Sequence, residues 1–168
     1  SVTNASDTLS NSAPAVASNH TVAFTTSNGM SIGHNFTLTF ASQFDTSAVT
    51  ITDVDLSVAT VDQTIASGAS GAGQWGITGL GTDAITFTTP TDGGVASSSA
   101  IEIKIGSNAT GGTIRIVNPT STTTPYTIGI AGTMQDSGEM KVAIVDQVTV
   151  SANVDTSLTF SVTGVNSG

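Results

Sequence analysis

Short runs in which β-branched and aromatic residues alternate with Thr or Ser fill most of this 168-residue chain. A period of two puts one set of side chains on each face of an extended strand, and almost nothing here carries the 3.6 period of an amphipathic helix. Ile101-Glu102-Ile103-Lys104-Ile105 and Phe36-Thr37-Leu38-Thr39-Phe40 are the clearest cases, each with three apolar side chains on one face. Gly, Pro, Asp and Asn cluster between the runs, so each run ends in a turn after a few residues. The pattern predicts strands over Thr21–Thr25, Ile32–Phe40, Val49–Val58, Gly76–Leu80, Ala84–Thr88, Ala100–Ile105, Thr113–Val117, Tyr126–Gly132, Met140–Val145, Val148–Val154 and Leu158–Thr163. Short strands at this spacing imply an all-β fold, an immunoglobulin-like antiparallel β-sandwich.

Charge narrows the choice of partners. Only 9% of residues are charged, against roughly 25% in an ordinary soluble domain. Ser and Thr together make up about three residues in ten. Lys104, Arg115 and Lys141 face twelve acidic residues, for a net charge of -9. Nucleic acid is excluded as a partner, because neutralising phosphates needs a basic patch that three cations cannot build. The absence of Cys removes disulfides, thiolate zinc sites and cysteine nucleophiles together. No run approaches the roughly 18 apolar residues of a membrane span. Ser1 stands where an initiator Met would, as expected either after removal of a secretory leader or after trimming of the chain.

Residues 1–18, SVTNASDTLSNSAPAVAS, are small and polar with scattered Val2, Leu9 and Val16. This reads as an N-terminal extension preceding a single sandwich domain over residues 19–168. An extension of this composition must be held either by its own sandwich or by another subunit.

Several residues carry candidate chemistry. Asp53 and Asp55 lie two apart in a predicted strand and would project from one face, where a hard cation such as calcium would relieve their repulsion. Asp45 and Asp62 are further oxygen donors for that site. His20 and His34 sit in no nucleophile-elbow or H-E-x-x-H pattern, so the sequence points away from an enzyme. Asn4, Asn19 and Asn108 head N-x-[ST] acceptor patterns for glycans, and Asn35 heads a fourth inside an apolar run. Glu102/Lys104 and Glu139/Lys141 form same-face E-x-K pairs, read as solvated ion pairs or as lysines of an intramolecular isopeptide bond. Trp75 reads as a plug at the core edge or as a sugar-stacking platform.

Asn19-His20-Thr21-Val22-Ala23-Phe24-Thr25-Thr26, Phe36-Thr37-Leu38-Thr39-Phe40, Gln43-Phe44-Asp45, Ile103-Lys104-Ile105-Gly106-Ser107-Asn108-Ala109-Thr110-Gly111-Gly112, Asn118-Pro119 and the run Asp146–Asp155 occur in that order. Together they resemble an immunoglobulin-like β-sandwich module of predicted cell-surface proteins, S-layer-like or filament-forming, from uncultivated bacteria and archaea. The likeness covers roughly residues 19–160, with Ala41-Ser42 where that family carries Pro-Ser. It implies a sandwich fold and an extracellular, cell-surface location.

A lone module needs a means of attachment, and self-assembly provides one. The expected function is therefore a structural subunit of an extracellular filament or surface layer, a homopolymer formed by β-strand donation. Residues 1–18 are the expected donor strand, with Val2, Leu9 and Val16 filling apolar pockets on the next subunit, and Leu158–Val165 is the alternative donor. Scarce lysine leaves sheet edges weakly guarded against such pairing. The competing expectation is a secreted adhesin or carbohydrate-binding sandwich that reads sugars through Trp75 and Tyr126.

Overall fold

A computed structural model describes residues 1–146, so the expected strands Val148–Val154 and Leu158–Thr163, and the alternative donor Leu158–Val165, lie outside the described residues. The strands are β1 (Thr3–Leu9), β2 (Ala17–Ser18), β3 (His20–Thr26), β4 (Asn35–Thr39), β5 (Val54–Val58), β6 (Val61–Asp62) and β7 (Ile65–Ser67). They continue with β8 (Trp75–Thr78), β9 (Ala84–Thr88), β10 (Ser99–Ile105), β11 (Ile116–Val117), β12 (Tyr126–Ala131) and β13 (Gly138–Val142). One sheet has the order β1-β3-β10-β5-β6 and the other β13-β12-β4-β9-β8-β7, with β2 and β11 paired beside them. Among the described residues all pairings are antiparallel except β7 with β8. The chain is an all-β sandwich.

Alternation in sequence becomes alternation in burial. Ile101, Ile103 and Ile105 on β10 and Val22 and Phe24 on β3 turn inward, and Phe36 and Leu38 on β4 meet them from the other sheet. Phe36 and Phe87 are cross-strand partners and stack with centroids 4.9 Å apart, while Phe24 meets Phe36 edge-on at 5.2 Å across the sandwich. Each such aromatic pair adds about 0.5–1.5 kcal/mol beyond the area it buries. A second aromatic group, His20, Phe40, Phe44 and Tyr126, closes the core where the chain leaves β4.

Where strands start later than their apolar runs suggest, a polar side chain has taken the backbone donors or a glycine has turned the chain. The run Val49–Val58 becomes a strand only at Val54, because Thr50–Asp53 fold into a capped 3-10 turn in which Thr50 donates through N and Oγ1 to Asp53 Oδ2. Thr113–Val117 shrinks to Ile116–Val117, since the N–H groups of Thr113 and Ile114 go to Asp53 Oδ1. Ile32–Phe40 begins at Asn35, after Gly33 turns the chain at φ 74°.

The boundary expected at residue 18 falls inside this architecture. Residues 3–9 form β1, the edge strand of the first sheet, and Val2 is a core residue, so the N-terminal segment is held by its own sandwich. Alternation explains it: Ala5, Asp7 and Leu9 turn inward while Ser6, Thr8 and Ser10 face out.

Candidate functional site

The feature with the most specific chemistry is the slot that grips residues 1–9. One wall is the free edge of β3, whose ladder with β1 pairs Ser6 with Ala23, Asp7 with Val22, Thr8 with Thr21 and Leu9 with His20. The other wall is the turn before β13, where Val2 N donates to Ser137 O at 3.1 Å. Farther along, Val145 N donates to Ser12 O at 2.9 Å, so β1 and the β13 segment run the same way and close one side of the sandwich. A register break between Thr3 and Ser6, with Asn4 at φ 53°, bulges the strand between its two ends.

Each end of the strand has a seat. Val2, 8% exposed, lies over Gly138, where any Cβ would overlap Val2 Cγ2, so the valine fits because that position carries no side chain. The Ser1 amine donates to Asp136 Oδ1 at 2.7 Å, and Asn28 N donates to Oδ2 at 2.8 Å. The Asn28 backbone N–H and the Ser1 amine hold the Asp136 carboxyl below the usual carboxylate range.

At the other end, Asp7 Oδ2 and His20 Nδ1 are 2.7 Å apart, with both side chains fully buried. The His20 ring lies edge-on to Phe40 and Phe44, both at 5.6 Å. Asp7 Oδ1 and His20 Nε2 are buried without a hydrogen-bond partner among the described residues. The dyad therefore orders a strand, and the neighbours given to its free imidazole nitrogen's ring are aromatic. The sequence singles out His20 but not Asp7, whose only signal is its place between Ala5 and Leu9 on the inward face.

Of the other donor residues, Leu9 packs partly buried against the core, whereas Val16 is 37% exposed on its own chain. Beyond β1 the chain is tied down: Asn118 Nδ2 donates to Asn11 O and Ala13 O, and Asn118 N to Val16 O.

Comparison with known proteins places the fold. No family model matches the chain, and no curated protein matches it in sequence. Among solved structures it is similar to BslA, a bacterial hydrophobin, with a TM-score of 0.50 at 10% identity, covering 85% of this chain and 96% of that one. What the two share is the fold.

The remaining sequence candidates take structural roles. Asp53 and Asp55 do not form the shared cation face expected of them. Asp53, 1% exposed, accepts four hydrogen bonds: Thr113 N and Ile114 N on Oδ1, Thr50 N and Oγ1 on Oδ2. Burial pushes its pKa up, but these hydrogen bonds outweigh it and set the pKa at about 2. Asp55 Oδ2 accepts from Thr110 N at 2.7 Å. Both carboxylates thus fasten the loop after β10, and the donors on Asp53 occupy the lone pairs a calcium ion would use. No group of three or more His, Cys, Asp or Glu side chains converges among the described residues.

Two of the three glycan candidates are engaged. Asn108 Nδ2, the atom a glycan would modify, donates to His20 O and Thr21 Oγ1. Asn19 Oδ1 accepts from Ser107 N and Oγ and packs on Gly106. Asn4 is exposed in the β1 bulge.

Trp75 is buried, with Nε1 donating to Gln63 Oε1 at 3.2 Å, and Tyr126 is buried with its hydroxyl on Ser121 O, so both are core residues. Lys104 pairs with Glu102 at 3.7 Å on the outer face of β10, and Lys141 is exposed on β13, so neither lysine is the buried amine an isopeptide bond requires. No helix among the described residues is long and apolar enough to cross a membrane.

Proposed function

We propose that this chain is a structural subunit of an extracellular filament or surface layer, linked to its neighbours by exchange of the N-terminal strand. The observation carrying this reading is the two-sided slot. Residues 1–9 are gripped along β3 and at the turn before β13, and both walls come from residues that follow the tether 10–19. Strand and slot belong to one sequence, so strand 1–9 of a second copy finds the same ladder, the same Gly138 gap and the same His20. The path of residues 10–19 decides between filling one's own slot and filling a neighbour's, and exchange requires their contacts with Asn118, Pro119 and Val145 to be released or re-formed. Passing each strand to the next copy, without a reciprocal return, is a head-to-tail contact, which builds an open filament where its rotation does not close into a ring. A surface rich in hydroxyls and poor in lysine suits edge pairing and an extracellular setting.

Two single-cysteine chains test this directly, since the protein has no Cys and Thr8 lies opposite Thr21 on the outward face. Thr8→Cys and Thr21→Cys chains are mixed, allowed to assemble and oxidised. Exchange predicts a covalent heterodimer, and filaments by negative-stain microscopy that are lost when residues 1–18 are deleted. A disulfide that forms only when both cysteines sit in one chain, with monomers throughout, overturns strand exchange.

A further inference from the structure

We infer that the slot selects its strand by a buried carboxylate: His20 is a recognition residue for Asp7, and the partner it admits is residues 1–9 of a copy of this chain. This deepens the exchange reading and rests on it only for the source of the strand, because the same selection acts when the chain fills its own slot.

An open sheet edge is a generic template, and any extended apolar segment can pair with it through the main chain. β1 is a weak competitor for such an edge. Its inward side chains between the two ends are only Ala5, Asp7 and Leu9, and its outward ones are Ser6 and Thr8. A more apolar strand would bury more surface. What β1 alone brings is a carboxylate at the place where His20 needs a partner.

His20 Nδ1 bonds Asp7 Oδ2, and the second polar atom on each side chain is buried without a partner among the described residues. Among the described residues each group is therefore the other's whole polar satisfaction, in a pocket of Phe40 and Phe44. A strand with Leu at this position would leave a fully buried imidazole with no partner, and desolvation without compensation outweighs the added apolar area. An Asp-bearing strand lacking His20 would fail in the same way. Val2 over Gly138 supplies the second point of the match: the bulge at Asn4 lies between the two seats, so one strand must satisfy both at once.

The pairing makes a prediction that apolar burial alone reverses. Fluorescent peptides spanning residues 1–9, native or with Asp7→Leu, are exchanged into the full-length chain and into its His20→Phe variant. The native peptide should exceed the Asp7→Leu peptide by about tenfold or more on the native chain, the loss of one buried hydrogen-bond partner. On the His20→Phe chain the order should invert. An Asp7→Leu peptide that binds both chains better would show that the slot reads apolar area and would overturn the assignment.

Where the intact strand blocks exchange, the same comparison is made within full-length chains by thermal unfolding. Asp7→Leu should lower the midpoint, and adding His20→Phe should recover it. A midpoint raised by Asp7→Leu alone would be equally fatal. The mixed single-cysteine assay answers separately whether the strand comes from another copy, so selection and exchange can fail independently.

Discussion

Replacing Asp53 by Ala removes the acceptor of four hydrogen bonds at once and tests whether the acidic pair serves a loop or a cation. The four donors are Thr50 N, Thr50 Oγ1, Thr113 N and Ile114 N, at 2.6–3.0 Å. A buried donor left without an acceptor costs about 1–3 kcal/mol. Thr50, Thr113 and Ile114 are exposed residues, so water can reach the freed groups and the low end of that range applies. About 1 kcal/mol for each of three or four donors gives a loss of about 3–4 kcal/mol. For a chain of this length 1 kcal/mol shifts Tm by about 2–4 °C, so calorimetry should show Tm falling by about 10 °C. Calcium should not restore it.

The acid limb offers a second reading of the same residue. The folded pKa is about 2 against 3.8 for an ordinary aspartate, so the ionised carboxylate contributes about 2 kcal/mol that is complete above about pH 5. That contribution is lost as the pH falls through about 2, below which folded and unfolded states are both protonated. Denaturation from about pH 5 to about pH 2 should therefore show a shallower acid loss in Asp53→Ala than in the native chain. An Asp53→Ala chain within 1 kcal/mol of the native one, or a calcium-dependent rise in Tm that vanishes with Asp53, would refute the loop-anchor reasoning.

Three further outcomes follow from the geometry. Gly138→Ala should destabilise the chain by about 1–3 kcal/mol through overlap with Val2, and Val2→Ala in the same chain should recover part of it, which a double-mutant cycle of urea midpoints would measure. Expressed in a host that adds N-linked glycans, the chain should carry sugar at Asn4 and not at Asn108, whose Nδ2 is occupied, as glycopeptide mass spectrometry would resolve. Trp75 should emit to the blue and resist acrylamide quenching, and neither property should change on adding soluble oligosaccharides.

Period-two alternation and turn chemistry made most of the sandwich legible. Ala84–Thr88 was bounded correctly, and the runs around Thr21–Thr25, Ala100–Ile105 and Tyr126–Gly132 match β3, β10 and β12 to within a residue or so, because each has one strongly apolar face. β1, β6 and β7 carried no such face. Ser, Thr and Ala dominate β1, and its pairing is decided by β3, which no local window contains. Asp53 and Asp55 look alike in sequence, but Asp53 ends a 3-10 turn that sends its carboxylate to backbone N–H groups, whereas Asp55 lies on β5 and takes a single N–H from the loop after β10. The local rule of alternation holds only while the backbone stays extended.

By itself the sequence determined the fold class, the apolar faces that form the core, the hydroxyl-rich acidic surface and the absence of thiol chemistry. These depend on composition and on neighbours one or two residues apart. Tertiary structure alone decided that Asp7 meets His20, that Val2 rests on Gly138 and that Asp53 serves the loop at Thr113. These are contacts between residues 13, 136 and 60 apart, fixed by which strands lie side by side. A carboxylate in sequence is only a charge. Its partner, and therefore its role, is set by the donors that long-range packing brings within hydrogen-bond reach.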